Sequence, residues 1–209
     1  MINNEQKKLI ENLGIKINPD TIEKMNIWEQ TFIEYNSHTN LMSRGDIEKL
    51  FEKHVFDSLA INLWEGFKDC KKVLDVGCGG GFPSVILSIF FPEKQIIAND
   101  SRIKKINFIK EIKEKLKLNN LEALYSRIEE APEVNADLIV SRAVGKILDI
   151  YELSKKHLAK EGIFLIYKSK TVEAEIKDFK KKYNGARFEI VPYQLPLEEN
   201  YERSLVVLF

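Results

Sequence analysis

The apolar positions follow one rhythm up to about residue 70 and another after it. From Pro19, a residue suited to a first helical turn, Met25, Trp28, Phe32 and Tyr35 recur at steps of three and four. That stripe marks an amphipathic helix with its apolar face in a core. Residues 36–45 form a polar break. Asp46 is placed to cap a second helix, in which Ile47, Phe51, Val55 and Leu59 share a face. Residues 1–70 thus read as helical. From residue 72 short apolar runs alternate with helical patterns. Strands are expected at 72–76, 95–99, 121–125, 137–141 and 162–167, with helices at 84–91, 102–117, 146–160 and 171–183. Alternation of this kind builds a parallel sheet with helices on both faces. Two closing strands, near 187–193 and 204–209, are expected to run antiparallel. The boundary between the two regimes lies near Cys70, with a short linker.

One loop adds chemistry to this pattern. Residues 72–82 carry Asp75 in an apolar strand and then glycines at 77, 79, 80 and 81. Glycines in a strand-to-helix turn let backbone approach a ligand closely. Asp100 ends the next strand, about 23 residues after Gly77, where an acid suits a ribose diol. Phe82 stands where a dinucleotide fingerprint would want its third glycine, which favours S-adenosylmethionine (SAM) over NAD. After the third strand, Ile128 can cover an adenine ring and Glu129 can reach its polar edge. The same stretch also reads as a charged helix start. Arg142 ends the fourth strand, where it can bind phosphate, clamp guanine or form an ion pair. His54, Asp57 and Ser58 lie at i, i+3 and i+4 and share a polar edge of one helix. His38 and His157 have no such company and read as surface residues.

Composition narrows the classes. The chain has 209 residues, 44% hydrophobic and 31% charged, with zero formal net charge. That argues against tight, non-specific nucleic-acid binding by the whole molecule. The charge is uneven, however. Residues 101–118 hold 7 Lys/Arg against 2 Asp/Glu, and residues 168–187 hold 7 against 3. Such runs are solvated helix faces or a basic surface for an anionic substrate. No apolar run is long enough to span a bilayer, and the start does not resemble a signal peptide, so a cytoplasmic protein is expected. Cys70 and Cys78 lack metal-ligand spacing, so no metal site is expected, and both lie upstream of where a cytosine-C5 methyltransferase needs its nucleophile.

The segments together resemble the bacterial small-subunit rRNA guanine-N7 methyltransferases, the RsmG or glucose-inhibited division protein B family. The resemblance rests on Asn40-Leu41, His54-x-x-Asp57-Ser58-Leu59, Asp75-Val76-Gly77-x-Gly79-x-Gly81-Phe82-Pro83 and Asp100-Ser101-x-x-Lys104-Lys105-x-x-Phe108. It continues with Ser126-Arg127-Ile128-Glu129, Ser141-Arg142-Ala143 and Tyr167-Lys168. It implies an α/β fold, a class I SAM-dependent methyltransferase with a Rossmann-like, mostly parallel seven-stranded sheet at 71–209. A helical extension at 1–70 precedes the sheet. It implies methyl transfer from SAM to N7 of a guanosine in 16S rRNA of the 30S subunit. Gly77, Phe82, Asp100, Ile128, Glu129 and Arg142 would line the cofactor site. Asn40, His54, Arg127, Arg142 and Lys168 would form the catalytic mouth or bind RNA, with Arg142 and Lys168 facing the guanine. Ser84 and Ser169 replace glycines usual in the family, and the family's basic tail is not expected to contribute to RNA binding here. The alternatives are a non-catalytic assembly factor that binds SAM, an NAD(P)-binding reductase, and a small-molecule or protein methyltransferase.

Overall fold

The central strands are buried in continuous runs, because successive side chains point to opposite faces of the sheet and both faces are covered. A computed structural model describes residues 2–142, 145–169, 172–197 and 201–209. Ala143 of the Ser-Arg-Ala segment, and the expected start of the last helix at Thr171, lie outside the described residues. Among those described, β1 (Lys72–Val76), β2 (Gln95–Asp100), β3 (Leu121–Tyr125), β4 (Ala136–Arg142), β5 (Leu158–Ser169), β6 (Phe188–Gln194) and β7 (Glu202–Leu208) form one sheet. Their order is β3-β2-β1-β4-β5-β7-β6. β1 to β5 pair in parallel, and β7 runs antiparallel to both β5 and β6. The chain reverses direction across the sheet between β1 and β4, which opens a crevice at the carboxyl ends of the strands.

One face of the sheet, with Val73, Ile96, Leu138 and Leu165, packs against α5 (Ser84–Phe90) and α6 (Ile103–Leu116), and α2 (Pro19–Thr39) lies on those two helices, while α1 (Asn4–Asn12) joins the same apolar cluster. The other, with Leu74, Ile97, Ile139 and Phe164, packs against α7 (Ile147–Ser154) and α8 (Glu173–Lys182). Ile10, Trp28, Val55 and Phe67 of the N-terminal segment belong to the same cluster as the sheet residues of the first face. The α2 stripe is buried as its spacing predicts: Met25, Trp28 and Phe32 are core, and the Tyr35 ring packs at a tilt against Phe108, 5.0 Å between ring centres. Phe32 contacts Phe82 at 5.4 Å and Phe108 at 5.5 Å. Such ring pairs contribute about 0.5–1.5 kcal/mol each beyond their buried area. They fix α2 against the back of the glycine loop, where a side chain on Gly80 would come within 3.1 Å of the Phe32 ring.

Three expectations about local structure need correction. Asp46 does not cap the second helix. Ser43 caps α3 (Arg44–Ile47), while the Asp46 carboxylate is taken by Ser43 Oγ at 2.7 Å and Lys53 Nζ at 3.2 Å. The continuation is also broken: residues Phe51–Phe56 wind as a π-helix before α4 (Asp57–Leu59). Phe51, Val55 and Leu59 still reach the core, but Ile47 is only partly buried. His157 is not a surface residue. It is fully buried and bonds to the Ile128 carbonyl, so α7 ends at Ser154, tightens through Lys155–His157, and gives way to β5.

Candidate cofactor cleft and catalytic mouth

The crevice beside β1 is a cleft of about 500 Å³. Val76, Gly77 and Gly79 form one wall, Asp100 and Arg102 the next, and Ile128, Glu129 and Arg142 the far side. Gly77 and Gly79 hold φ of +75° and +56°, conformations that side chains rarely adopt, so bare backbone faces the cleft. The amides of Gly77 and Cys78 donate to the Asn99 carbonyl at 2.9 and 2.8 Å, tying the loop to the end of β2. Asp100 Oδ2 accepts from the Gly79 amide at 3.0 Å and Oδ1 from the Arg102 amide at 2.8 Å. A carboxylate has about four lone-pair sites, so two bonds to backbone orient it without exhausting it. Behind the loop Asp75 is fully buried and accepts from the Ser84 amide at 3.1 Å. Burial pushes its carboxyl up to about 7, against the hydrogen bonds from Ser84.

This arrangement fits a nucleoside with an amino-acid tail. A diol can chelate Asp100, an apolar ring can lie on Ile128, and the tail can pass over the glycines. Gly77, Asp100, Ile128, Glu129 and Arg142 all line the cleft. Phe82, expected among them, is buried behind it and lies under the Arg142 guanidinium, 5.1 Å from ring centre to Cζ.

The expected mouth residues are only partly brought together. Arg142 Nη1 donates to the Lys53 carbonyl at 3.1 Å and to Asp57 Oδ2 at 3.0 Å, and Nη2 donates to His54 Nδ1 at 2.8 Å. The ion pair is thus the alternative that the structure realises for Arg142, while its side chain still borders the cleft. A guanidinium cannot accept, so His54 accepts at Nδ1 and carries its proton on Nε2. Burial, with the Arg142 charge beside it, lowers the imidazole to about 4, so His54 is neutral at pH 7. Arg127 stands exposed on the rim, 3.9 Å from Glu129. Lys168 is not at the cleft. Its ammonium donates to both Glu175 oxygens, at 3.0 and 2.8 Å, and to the Gly145 carbonyl at 2.7 Å. Asn40 closes α2 in the left-handed region and lines a neighbouring hollow with Asn36 and Met42. Lys105 links the two cavities: it lines the cleft, and its Nζ donates to the Leu41 carbonyl at 2.7 Å.

Sequence reasoning missed the centre of this network. Asp57 is almost fully buried and also accepts from Arg203 Nε at 3.1 Å and Nη2 at 3.2 Å, and from the Tyr193 hydroxyl at 2.5 Å. Burial opposes ionisation, but the charges of Arg142 and Arg203 overcome it and hold the carboxyl below its ordinary value. The signal for Asp57 was present in its spacing from His54. Arg203 and Tyr193 arrive through the antiparallel pair β6–β7 and had no signal in sequence.

Comparison with known proteins shows the family and the fold of the chain. The profile described as rRNA small subunit methyltransferase G matches residues 21–206. The ribosomal RNA small subunit methyltransferase G of Lachnoclostridium phytofermentans is 32% identical over 207 residues, covering 95% of this chain and 85% of that one. The protein of that name from Mycoplasma capricolum is 36% identical over 180 residues, covering 85% and 78%. Among solved structures, a SAM-dependent methyltransferase from Aquifex aeolicus superposes with a TM-score of 0.55 at 20% identity, covering 80% of this chain and 98% of that one. M. jannaschii TYW2 in complex with AdoMet gives 0.51 at 16% identity, covering 66% and 67%. These two share the class I SAM-dependent methyltransferase fold. The chain belongs to the rRNA small subunit methyltransferase G family.

Proposed function

We propose that this chain transfers a methyl group from SAM to N7 of a guanosine in 16S rRNA within the 30S subunit. On this reading residues 71–209 bind SAM and residues 1–70 are a helical extension that completes the mouth. The observation that carries it is the convergence of Asp100, the glycine loop and Ile128 on one cleft bordered by Arg142, in a chain of this family. Family membership sets aside the nicotinamide-dependent reductase. Among the described residues no cluster of side chains is arranged to hold a metal ion, and no helix is long and apolar enough to cross a membrane.

Bound SAM supplies an electrophilic methyl on a sulfonium. Guanine N7 carries an in-plane lone pair at neutral pH, so no group on the protein has to remove a proton first. That agrees with a neutral His54 that is committed to Arg142. The chain's contribution is orientation, which can supply roughly 7–11 kcal/mol when the reacting atoms are held at about 3–3.5 Å. Asp100 fixes the ribose end and Ile128 the ring. Arg142, clamped from behind by Asp57, His54 and Lys53, presents a fixed donor edge for guanine O6 or a phosphate. Charge develops on the purine as the methyl moves. The Asp57 carboxylate close behind Arg142 limits the repulsion there. The acceptor base must be unpaired or flipped out of its helix to reach such a cleft. Arg102, Lys105 and Arg127 at the rim supply positive charge for the RNA backbone.

The test is transfer of tritiated methyl from SAM to 30S subunits lacking the modification, followed by nucleoside analysis. Label in 7-methylguanosine is expected. Label in another nucleoside, or SAM binding with no transfer to any rRNA substrate, overturns the proposal.

A further inference from the structure

The buried His157 has no role in the site so far, yet it touches the cleft from behind. Its ring lies at the junction of α7 and β5 with Nε2 2.8 Å from the Ile128 carbonyl. A carbonyl accepts, so Nε2 carries the hydrogen. Nδ1 is buried and has no partner among the described residues. An apolar residue would leave no such unpaired buried polar atom, so this position costs stability that packing alone does not require. Lys156, beside it, donates from Nζ to the Glu129 carbonyl at 2.8 Å and the Ala131 carbonyl at 3.0 Å. Two consecutive side chains therefore hold three carbonyls of residues 128–131. From the other side, Asn99 Nδ2 donates to the Leu124 and Ser126 carbonyls at 3.1 and 3.0 Å. In a trans peptide the carbonyl and the next N–H point opposite ways. Binding the Ile128 carbonyl to His157 thus turns the Glu129 N–H away from the buried ring. Ile128 and Glu129 themselves line the cleft.

We infer that His157 and Lys156 are positioning residues for the adenine end of the cofactor. They set the loop so that the Ile128 side chain and the Glu129 backbone meet the ring. The inference rests on the reading above that this cleft holds the nucleoside of SAM. It assigns cofactor affinity in part to two residues that do not line the cleft.

Calorimetric titration with S-adenosylhomocysteine tests it on the full chain. Lys156→Met and His157→Leu should bind about 3- to 10-fold more weakly, the scale of one or two lost hydrogen bonds. His157→Gln, whose terminal amide can donate near the same place, should recover most of the loss. Lys155→Met is the neighbour control and should bind as the wild type, because Lys155 pairs with Glu152 and Tyr183 instead. In turnover, KM for SAM should rise by the same factor while kcat and KM for 30S subunits hold. Lys156 is exposed, so its variant keeps the test decisive even if His157→Leu fails to fold. Folded Lys156→Met binding as tightly as the wild type overturns the inference, as does an equal rise of both KM values. Absence of binding heat from the wild-type chain overturns the SAM-site reading itself, and this inference with it.

Discussion

Arg142 and Asp57 meet at 3.0 Å, although 85 residues separate them and neither side chain is more than about a tenth exposed. Arg142 ends the fourth strand, and Asp57 belongs to the N-terminal helical segment. The pair is one polar joint between that segment and the sheet, and Arg203 at 3.1 Å makes it a largely buried triad with the carboxylate at its centre.

Removing that carboxylate leaves two largely buried guanidiniums without their shared partner. Asp57→Ala should cost about 3–5 kcal/mol, the usual penalty for orphaning a buried charge partner. Asp57→Asn keeps two polar contacts and should cost less. The midpoint of urea unfolding measures both. A loss below about 1 kcal/mol in the alanine variant would show that the triad does not hold the segment in place.

Two buried groups give stability opposite dependences on pH. Burial raises Asp75 to about 7, above its unfolded value near 3.9, so the folded chain holds the extra proton. Its contribution falls as pH rises from about 4 to 7 and is constant beyond. Burial and the Arg142 charge lower His54 to about 4, below its unfolded value near 6.5. Its contribution is complete above about 6.5 and is lost as pH falls toward 4. Relative to the wild type, Asp75→Asn should therefore gain stability on raising the pH through this range. His54→Gln should gain on lowering it. Melting temperatures of the three proteins between pH 4.5 and 7.5 check both signs, and parallel curves would refute both placements.

Arg127 and Lys168 should differ in their use to RNA. Arg127 is mostly exposed on the cleft rim, whereas the Lys168 charge is balanced by Glu175 at 2.8 Å. In 30S binding measured against salt, Arg127→Ala should reduce the log–log slope by about 1. Lys168→Ala should leave the slope nearly unchanged and instead couple to Glu175→Ala in a double-mutant cycle. Equal slopes for the two variants would contradict this assignment.

The cysteines should be chemically inert. Burial pushes the Cys70 thiol up to about 11 and Cys78 well above its ordinary value. The thiolate is the nucleophile, so little of it exists at neutral pH. Both thiols should react slowly with a disulfide reagent until the chain unfolds. A Cys70→Ser, Cys78→Ala double variant should retain most of its turnover. Loss of transfer with normal SAM affinity would point to a covalent mechanism.

What could be read from the chain alone was whatever is local. The five parallel strands, the helices between them and the buried face of α2 follow from hydrophobic period, which depends only on neighbours in sequence. The glycine loop and Asp100 were legible for the same reason. Spacing within one strand–turn–helix–strand unit fixes where their backbone and carboxylate lie. Asp46 and the π-helical turn at Phe51–Phe56 escaped because several side chains compete for one cap and one face, and only packing against the sheet decides among them. His157 looked like a solitary surface histidine because its partner, the Ile128 carbonyl, is a backbone atom with no side-chain signature. Lys168 was expected to face the guanine, and its pairing with Glu175 went unseen because Glu175 lies on the following helix, α8, which only the tertiary fold brings beside the end of β5. The Asp57 triad shows the limit most plainly. Its members come from a helix, β4 and β7, and it is the antiparallel pairing of β7 with β5 that carries Arg203 to the other two. Their charges were visible in the sequence, but that pairing decided which of them would be buried together.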